Sequence, residues 1–256
     1  MRLIMMHETD ARWEANQIPS AELFANMGRL QEAVQQSGVG LGGEGLRPTS
    51  FGVRLNFRGG ERNLRQGPYA GPGRLPAGLL IARLKSIDEA VEWATRLGRI
   101  VGDSEIDVRP VCEPWDLGLC PRPQDLEATR FMLLYKADGQ PEAALAAAAR
   151  GPAMGKLIDE MSRAGVLLTA ETMQPSEQAL RLVFAGGRRS VTDGPFSEAK
   201  EVIAGYGMFE VPTMEQGIEW ATRFAGVVGD VSIDIRQLYP EQPAPAAAQA
   251  ASTRRI

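Results

Sequence analysis

The chain has 256 residues, of which 44% are hydrophobic, and its 28 Lys+Arg against 32 Asp+Glu leave a formal net charge of −4. That length suits one large or two small domains, and the composition is that of a soluble folded protein rather than a disordered one. Mild acidity offers no basic face for nucleic acid, no apolar run approaches the ~20 residues that span a bilayer, and MRLIMM lacks the features of a secretory leader. A cytoplasmic location is expected.

Taken in order, RLIMMH (2–7) reads as an apolar opening strand and ELFANMGRLQEAVQQSG (22–38) as a helix. Farther along come EWATR (92–96), VGD (101–103) and the I-D-x-R pattern of Ile106–Arg109. Residues 114–129, PWDLGLCPRPQDLEAT, form a Pro-rich linker that no helix runs through. Beyond it the run starts again: RFMLLY (130–135) is a strand, and GKLIDEMSRAG (155–165) a helix with Leu157, Ile158 and Met161 at helical spacing and Gly165 as its stop. VLLTAE is the next strand, LRLVF and RSVTDGPF flank the turn pair Gly186-Gly187, and VIAGYGMFEV is another strand. A helix from Thr213 sets Met214, Ile218 and Ala221 on one face, and VSIDIRQL ends the run. PEQPAPAAAQAASTRRI is a Pro/Ala tract expected to be a disordered tail (241–256).

The second run copies the first at a spacing of 127 residues. About a third of the positions in 28–111 match 155–238 without a gap, including EWATR, VGD, I-D-x-R, Gly67-Pro68 with Gly194-Pro195, and Glu44 with Glu171. A tandem duplication is expected, with repeats at 1–113 and 130–240. Each repeat has the order β-α-β-β-α-β with an extra hairpin strand, a ferredoxin-like α+β unit. A four- or five-stranded antiparallel sheet with its helices on one face leaves the other face uncovered. Two such sheets covering each other predict an internal pseudo-dimer around a barrel-like cavity, as a monomer or a further homodimer.

The stretch VTDGPFSEAKEVIAGYGMFEV (191–211), with GGR before it and IEWATRF…VSIDIRQL after it, resembles the YCII-related family in its DGPF-domain branch. GVGLGGEGLRP and DEAVEWATRLGRI…EIDVRPV in the first half resemble it equally, so the likeness covers nearly all of residues 1–240. The resemblance implies a dimeric α+β barrel. For some members it implies cofactor-free lyase chemistry with a His–Asp acid–base pair, including dehydrochlorination of an aromatic ring, and for others a regulatory role beside sigma factors. The halves differ where this matters: DGPFSEAKE (193–201) faces QGPYAGPGR (66–74), and His7 stands where the second half has Tyr135. One asymmetric site is expected.

His7 is the candidate general base, against a plain strand-end histidine, and Asp193 its partner, against a turn residue. Glu198, Lys200 and Glu201 are weaker candidates on a charged run. Asp107 with Arg109, and Asp234 with Arg236, alternate along their strands and share the face opposite the helices, where an Arg grips an anionic substrate or each pair bridges the two sheets. Glu44 and Glu171 are candidate cavity carboxylates, and Tyr135 and Tyr206 candidate phenolic donors or stacking partners, each with a structural alternative. Trp93 and Trp220 read as packing.

The expected function is a cofactor-independent enzyme, without metal, moving a proton on an aromatic or polyketide-like small molecule in a lyase, isomerase or cyclase reaction. The alternative is a non-catalytic ligand-binding or regulatory protein built around the same cavity. The expected partner is a small molecule, with neither nucleic acid nor membrane involved.

Overall fold

The computed structural model describes residues 1–69, 73–199 and 202–240; the tail expected to be disordered, with Lys200 and Glu201, lies outside the described residues. The first half supplies β1 (Arg2–Glu8), α1 (Ala11–Glu14), α2 (Ala21–Ser37), β2 (Gly40–Gly45), β3 (Val53–Arg58), β4 (Glu61–Gln66), β5 (Pro76–Leu84), α3 (Ile87–Val101) and β6 (Ser104–Pro110). The second supplies β7 (Thr129–Ala137), α4 (Glu142–Ala149), α5 (Pro152–Arg163), β8 (Leu167–Thr172), β9 (Leu180–Ala185), β10 (Arg188–Asp193), β11 (Ile203–Glu210), α6 (Met214–Val228) and β12 (Val231–Gln237).

Local chemistry explains where these elements start and turn. Ser20, Ser86 and Thr213 cap α2, α3 and α6 by accepting from the backbone N–H three residues on, leaving fewer first-turn donors unmet. The β3–β4 and β9–β10 hairpins turn on Gly59-Gly60 and Gly186-Gly187, all four at positive φ, as a tight turn that follows the strand twist requires. No helix among the described residues is long and apolar enough to cross a membrane.

The strands form two antiparallel sheets of six, not four or five. The first has the order β10-β9-β12-β1-β11-β2 and the second β4-β3-β6-β7-β5-β8. Positions 127 residues apart hold matching places in these two orders, yet each sheet draws on both sides of the 114–129 segment. β1 and β2 complete a sheet made by β9–β12, and β7 and β8 complete the one made by β3–β6. The crossings occur after β2 and after β8, at the short turns containing Pro48 and Pro175.

Four layers result. The first sheet carries α2 and α6 on its outer face, over Leu3, Met5, Phe209 and Ile235. The second carries α3, α4 and α5 over Leu55, Leu80, Leu133 and Tyr135. Ile4, Met6, Tyr206 and Met208 of the first sheet then pack directly on Leu79, Ile81, Met132 and Leu134 of the second. Strands buried on both faces account for continuous apolar runs such as RLIMM and RFMLLY.

Candidate functional site

Charged side chains from both sheets meet at the end where Gly73 bridges Ala199, with Arg74 beside them paired to Asp138 at 2.7 Å. Glu8 and Asp234 come from the first sheet, Arg54 and Lys136 from the second, around a void of about 20 Å³. Such a void holds a water rather than an organic molecule. On the second sheet the charges are spent on one another. Arg54 donates through Nε and Nη2 to the two oxygens of Asp107 at 2.6 and 3.0 Å, and Lys136 donates to Asp107 and, at 3.0 Å, to Glu105. Burial pushes the Asp107 carboxyl up, but the Lys136 ammonium and the Arg54 guanidinium outweigh it and hold the group below the usual carboxylate range. On the first sheet Arg181 grips Asp234 in the same bidentate way, at 2.6 and 2.7 Å.

The glycine-proline turn before each cluster builds its floor. The Arg54 guanidinium lies 4.1 Å over the Tyr69 ring and Arg181 4.4 Å over Phe196, the aromatic residues that end GPY and DGPF. Both Gly-Pro bonds are cis, and a Cβ on Gly67 or Gly194 would run into the carbonyl oxygen of Thr49 or Ser176. The part of the motif that both halves share therefore seats an arginine.

His7 does not reach this gap. Leu3, Met5 and His7 alternate with Ile4, Met6 and Glu8, so the imidazole turns to the helix layer and packs against Phe224 with ring centroids 4.8 Å apart. It sits opposite Gly205, where a Cβ would come within 2.7 Å of Nε2, as Tyr135 sits opposite Gly78 in the other sheet. Burial pulls the His7 pKa down to about 4, with the Arg109 charge adding to the effect, so the ring is neutral at pH 7. Between pH 6.5 and 4 the unfolded chain binds a proton that the folded chain refuses, so stability falls as pH falls through that window. His7→Gln is expected to flatten this slope in urea titrations at pH 7, 5.5 and 4.5.

Asp193 is exposed at the end of β10, three strands from β1, which is ~14 Å at the usual strand spacing. The structure therefore does not bring His7 and Asp193 together. Glu198 is likewise exposed.

Of the remaining candidates, five face the gap and hold the sheets to each other. Arg109 is fully buried and donates across to the carbonyl oxygens of Arg47 and Ile203, while Arg236 donates to those of Pro76 at 3.1 Å and Gln174 at 2.6 Å and to Glu142 at 2.8 Å. Each Asp of the Asp–Arg pairs thus bonds within its own sheet, while each Arg crosses. Glu171 takes a two-point grip from Arg2, at 2.5 and 3.1 Å, and Glu44 pairs with Arg130. Burial raises the Glu44 pKa against the pull of Arg130. Tyr206 is buried beside Glu44 in register. Tyr135 is on the helix side, bonded to Thr172 at 3.0 Å and the Glu171 carbonyl at 3.2 Å.

Sequence reading missed Glu8 and Lys136, neighbours of His7 and Tyr135. Lys136 left a trace as a lone lysine ending an apolar strand in an arginine-rich chain. A larger space was also missed. At the other end of β5 and β7, strands β5, β7 and β8 and the 113–128 segment bound an open groove of about 680 Å³, lined by Arg83, Arg130, Glu113, Trp115, Leu126 and Leu168. Among the described residues, no group of three or more His, Cys, Asp or Glu side chains is placed to share a metal ion.

Two helix-covered antiparallel sheets packed face to face make this a mixed α+β protein. Residues 129–232 match the model of the YCII-related domain. That stretch contributes β7 and β8 to one sheet and β9–β11, with the first two residues of β12, to the other. No curated protein and no solved structure matches the chain.

Proposed function

We propose that the chain is a tandem duplication of a YCII-type domain of the DGPF branch that works as a non-catalytic small-molecule-binding or regulatory protein. Its halves exchange their opening β-α-β segments into two ferredoxin-like units, paired as an internal pseudo-dimer. The matching strand orders and the repeat of Arg54–Asp107 as Arg181–Asp234 support this reading. One observation carries the choice against catalysis: His7 lies against Phe224 and ~14 Å across the sheet from Asp193, so no acid–base pair is assembled. A groove of about 680 Å³ is meanwhile within the range of small-molecule sites.

The test is incubation of the purified protein with small-molecule extract from its own source, followed by mass spectrometry, with His7→Ala and Asp193→Asn alongside. Binding without chemistry is expected to leave a compound retained and unchanged by all three proteins. A compound consumed by the wild type and spared by either variant would overturn the reading. It would favour the cofactor-free enzyme acting on an aromatic or polyketide-like substrate.

A further inference from the structure

Arg83 and Arg130 stand directly opposite each other on β5 and β7, and both line the groove. Like charges placed so on neighbouring strands repel unless something neutralises them. Arg130 is neutralised: it donates to both oxygens of Glu113 at 2.7 and 2.8 Å and to Glu44. Arg83 is exposed and has no carboxylate partner among the described residues. At the matching place in the first sheet, 127 residues on, Arg2 faces Glu210, an opposite charge. The second sheet thus carries a cation where its counterpart carries an anion, at the mouth of the larger space.

The rest of the lining supplies the other half of a recognition site. Leu168, 46% exposed, adds an aliphatic side chain to the groove wall, and Trp115 and Leu126 offer flat and aliphatic surface beside it from the 113–128 segment. Resting on the binding role argued above, we propose that this groove takes a small planar apolar molecule carrying a carboxylate, with the Arg83 guanidinium as the anion-gripping group. A planar fork with five donors suits a carboxylate held at two points. Asp125 and Glu127 line the same groove. An amine on the same ring system would meet those acids, and this makes the charge of the ligand testable.

The experiment is a calorimetric titration of the full chain with indole-3-acetate, and with tryptamine as the charge-inverted probe. Wild type is expected to bind indole-3-acetate saturably and tryptamine at least tenfold more weakly. Arg83→Ala is expected to weaken indole-3-acetate at least tenfold, and Arg83→Glu to abolish it, both with thermal unfolding at or above the wild-type temperature. Trp115→Ala is expected to weaken indole-3-acetate binding severalfold. Equal binding by Arg83→Ala, tryptamine binding as tight as indole-3-acetate, or no saturable binding of either probe would overturn the proposal. An extract compound retained equally by wild type and Arg83→Ala would overturn it while leaving the binding role intact. A compound consumed by the wild type would instead remove the binding role.

Discussion

Asp107→Ala is expected to destabilise the chain by about 3–5 kcal/mol, the usual cost of stranding buried charges. The carboxylate accepts three charge-assisted hydrogen bonds, two from Arg54 and one from Lys136, and all three residues are buried between the sheets. Removing it takes the shared carboxylate from two buried cations and leaves them Glu105, 3.0 Å from Lys136 and 3.4 Å from Arg54. The desolvation of the pair is the decisive quantity, because replacing a whole buried network with apolar groups is often neutral. Arg54→Met, Asp107→Leu, Glu105→Leu and Lys136→Met combined are therefore expected to recover most of the loss. Urea unfolding at pH 7 measures both. The pH dependence has a definite sign. The Asp107 carboxyl is held below its usual value, so its stabilisation is complete above the unfolded pKa near 3.9 and lost as pH falls through the folded value. Asp107→Asn is expected to lose that part of the acid limb.

Gly194→Ala is expected to do as much harm, at about 4 kcal/mol or more, through sterics alone. The added Cβ would overlap the Ser176 carbonyl oxygen, and that atom belongs to backbone already turned by its own hydrogen bond from Ala179. No flexible side chain is there to yield. Gly67→Ala meets the Thr49 carbonyl and is expected to match it. Asp193→Asn, one residue away on the exposed β10, is expected to change stability by under about 0.5 kcal/mol. Thermal unfolding of the three variants measures whether the Gly-Pro-aromatic part of the motif is architectural and its acid dispensable. Equal effects at Gly194 and Asp193 would contradict that division.

Strands and long helices were legible because period and turn chemistry mark them: Gly38 and Gly165 end helices, and Gly186-Gly187 turns a hairpin. α4 was not, since EAALAAAA has too little contrast between faces to show a period. Which half completes which sheet was also hidden. The repeats present interchangeable strands, so pattern alone fits either pairing, and the short crossings at Pro48 and Pro175 decide it. The candidate site failed to show itself for a related reason. β1 is buried on both faces, so nothing in RLIMMHE says whether His7 or Glu8 looks toward the other sheet. Arg109 and Arg236 were correctly placed on the inner face, but their carbonyl partners lie in loops distant in sequence. Arg83 became visible only with the register, when its opposition to Arg130 could be set against Arg2 and Glu210.

The exchange of strands also bears on how the chain is made. The Met1 amino group donates to the Val211 carbonyl, 210 residues away, and β1 lies between β11 and β12, the last two strands among the described residues. At roughly 5–20 residues per second of synthesis, β1, α2 and β2 wait on the order of 10–40 s at the ribosome before their partners exist. The second sheet, by contrast, closes as soon as β8 has emerged. Within residues 1–240 the earliest strand is thus expected to be among the last to find its partners, leaving a segment with two apolar faces exposed in the nascent chain meanwhile.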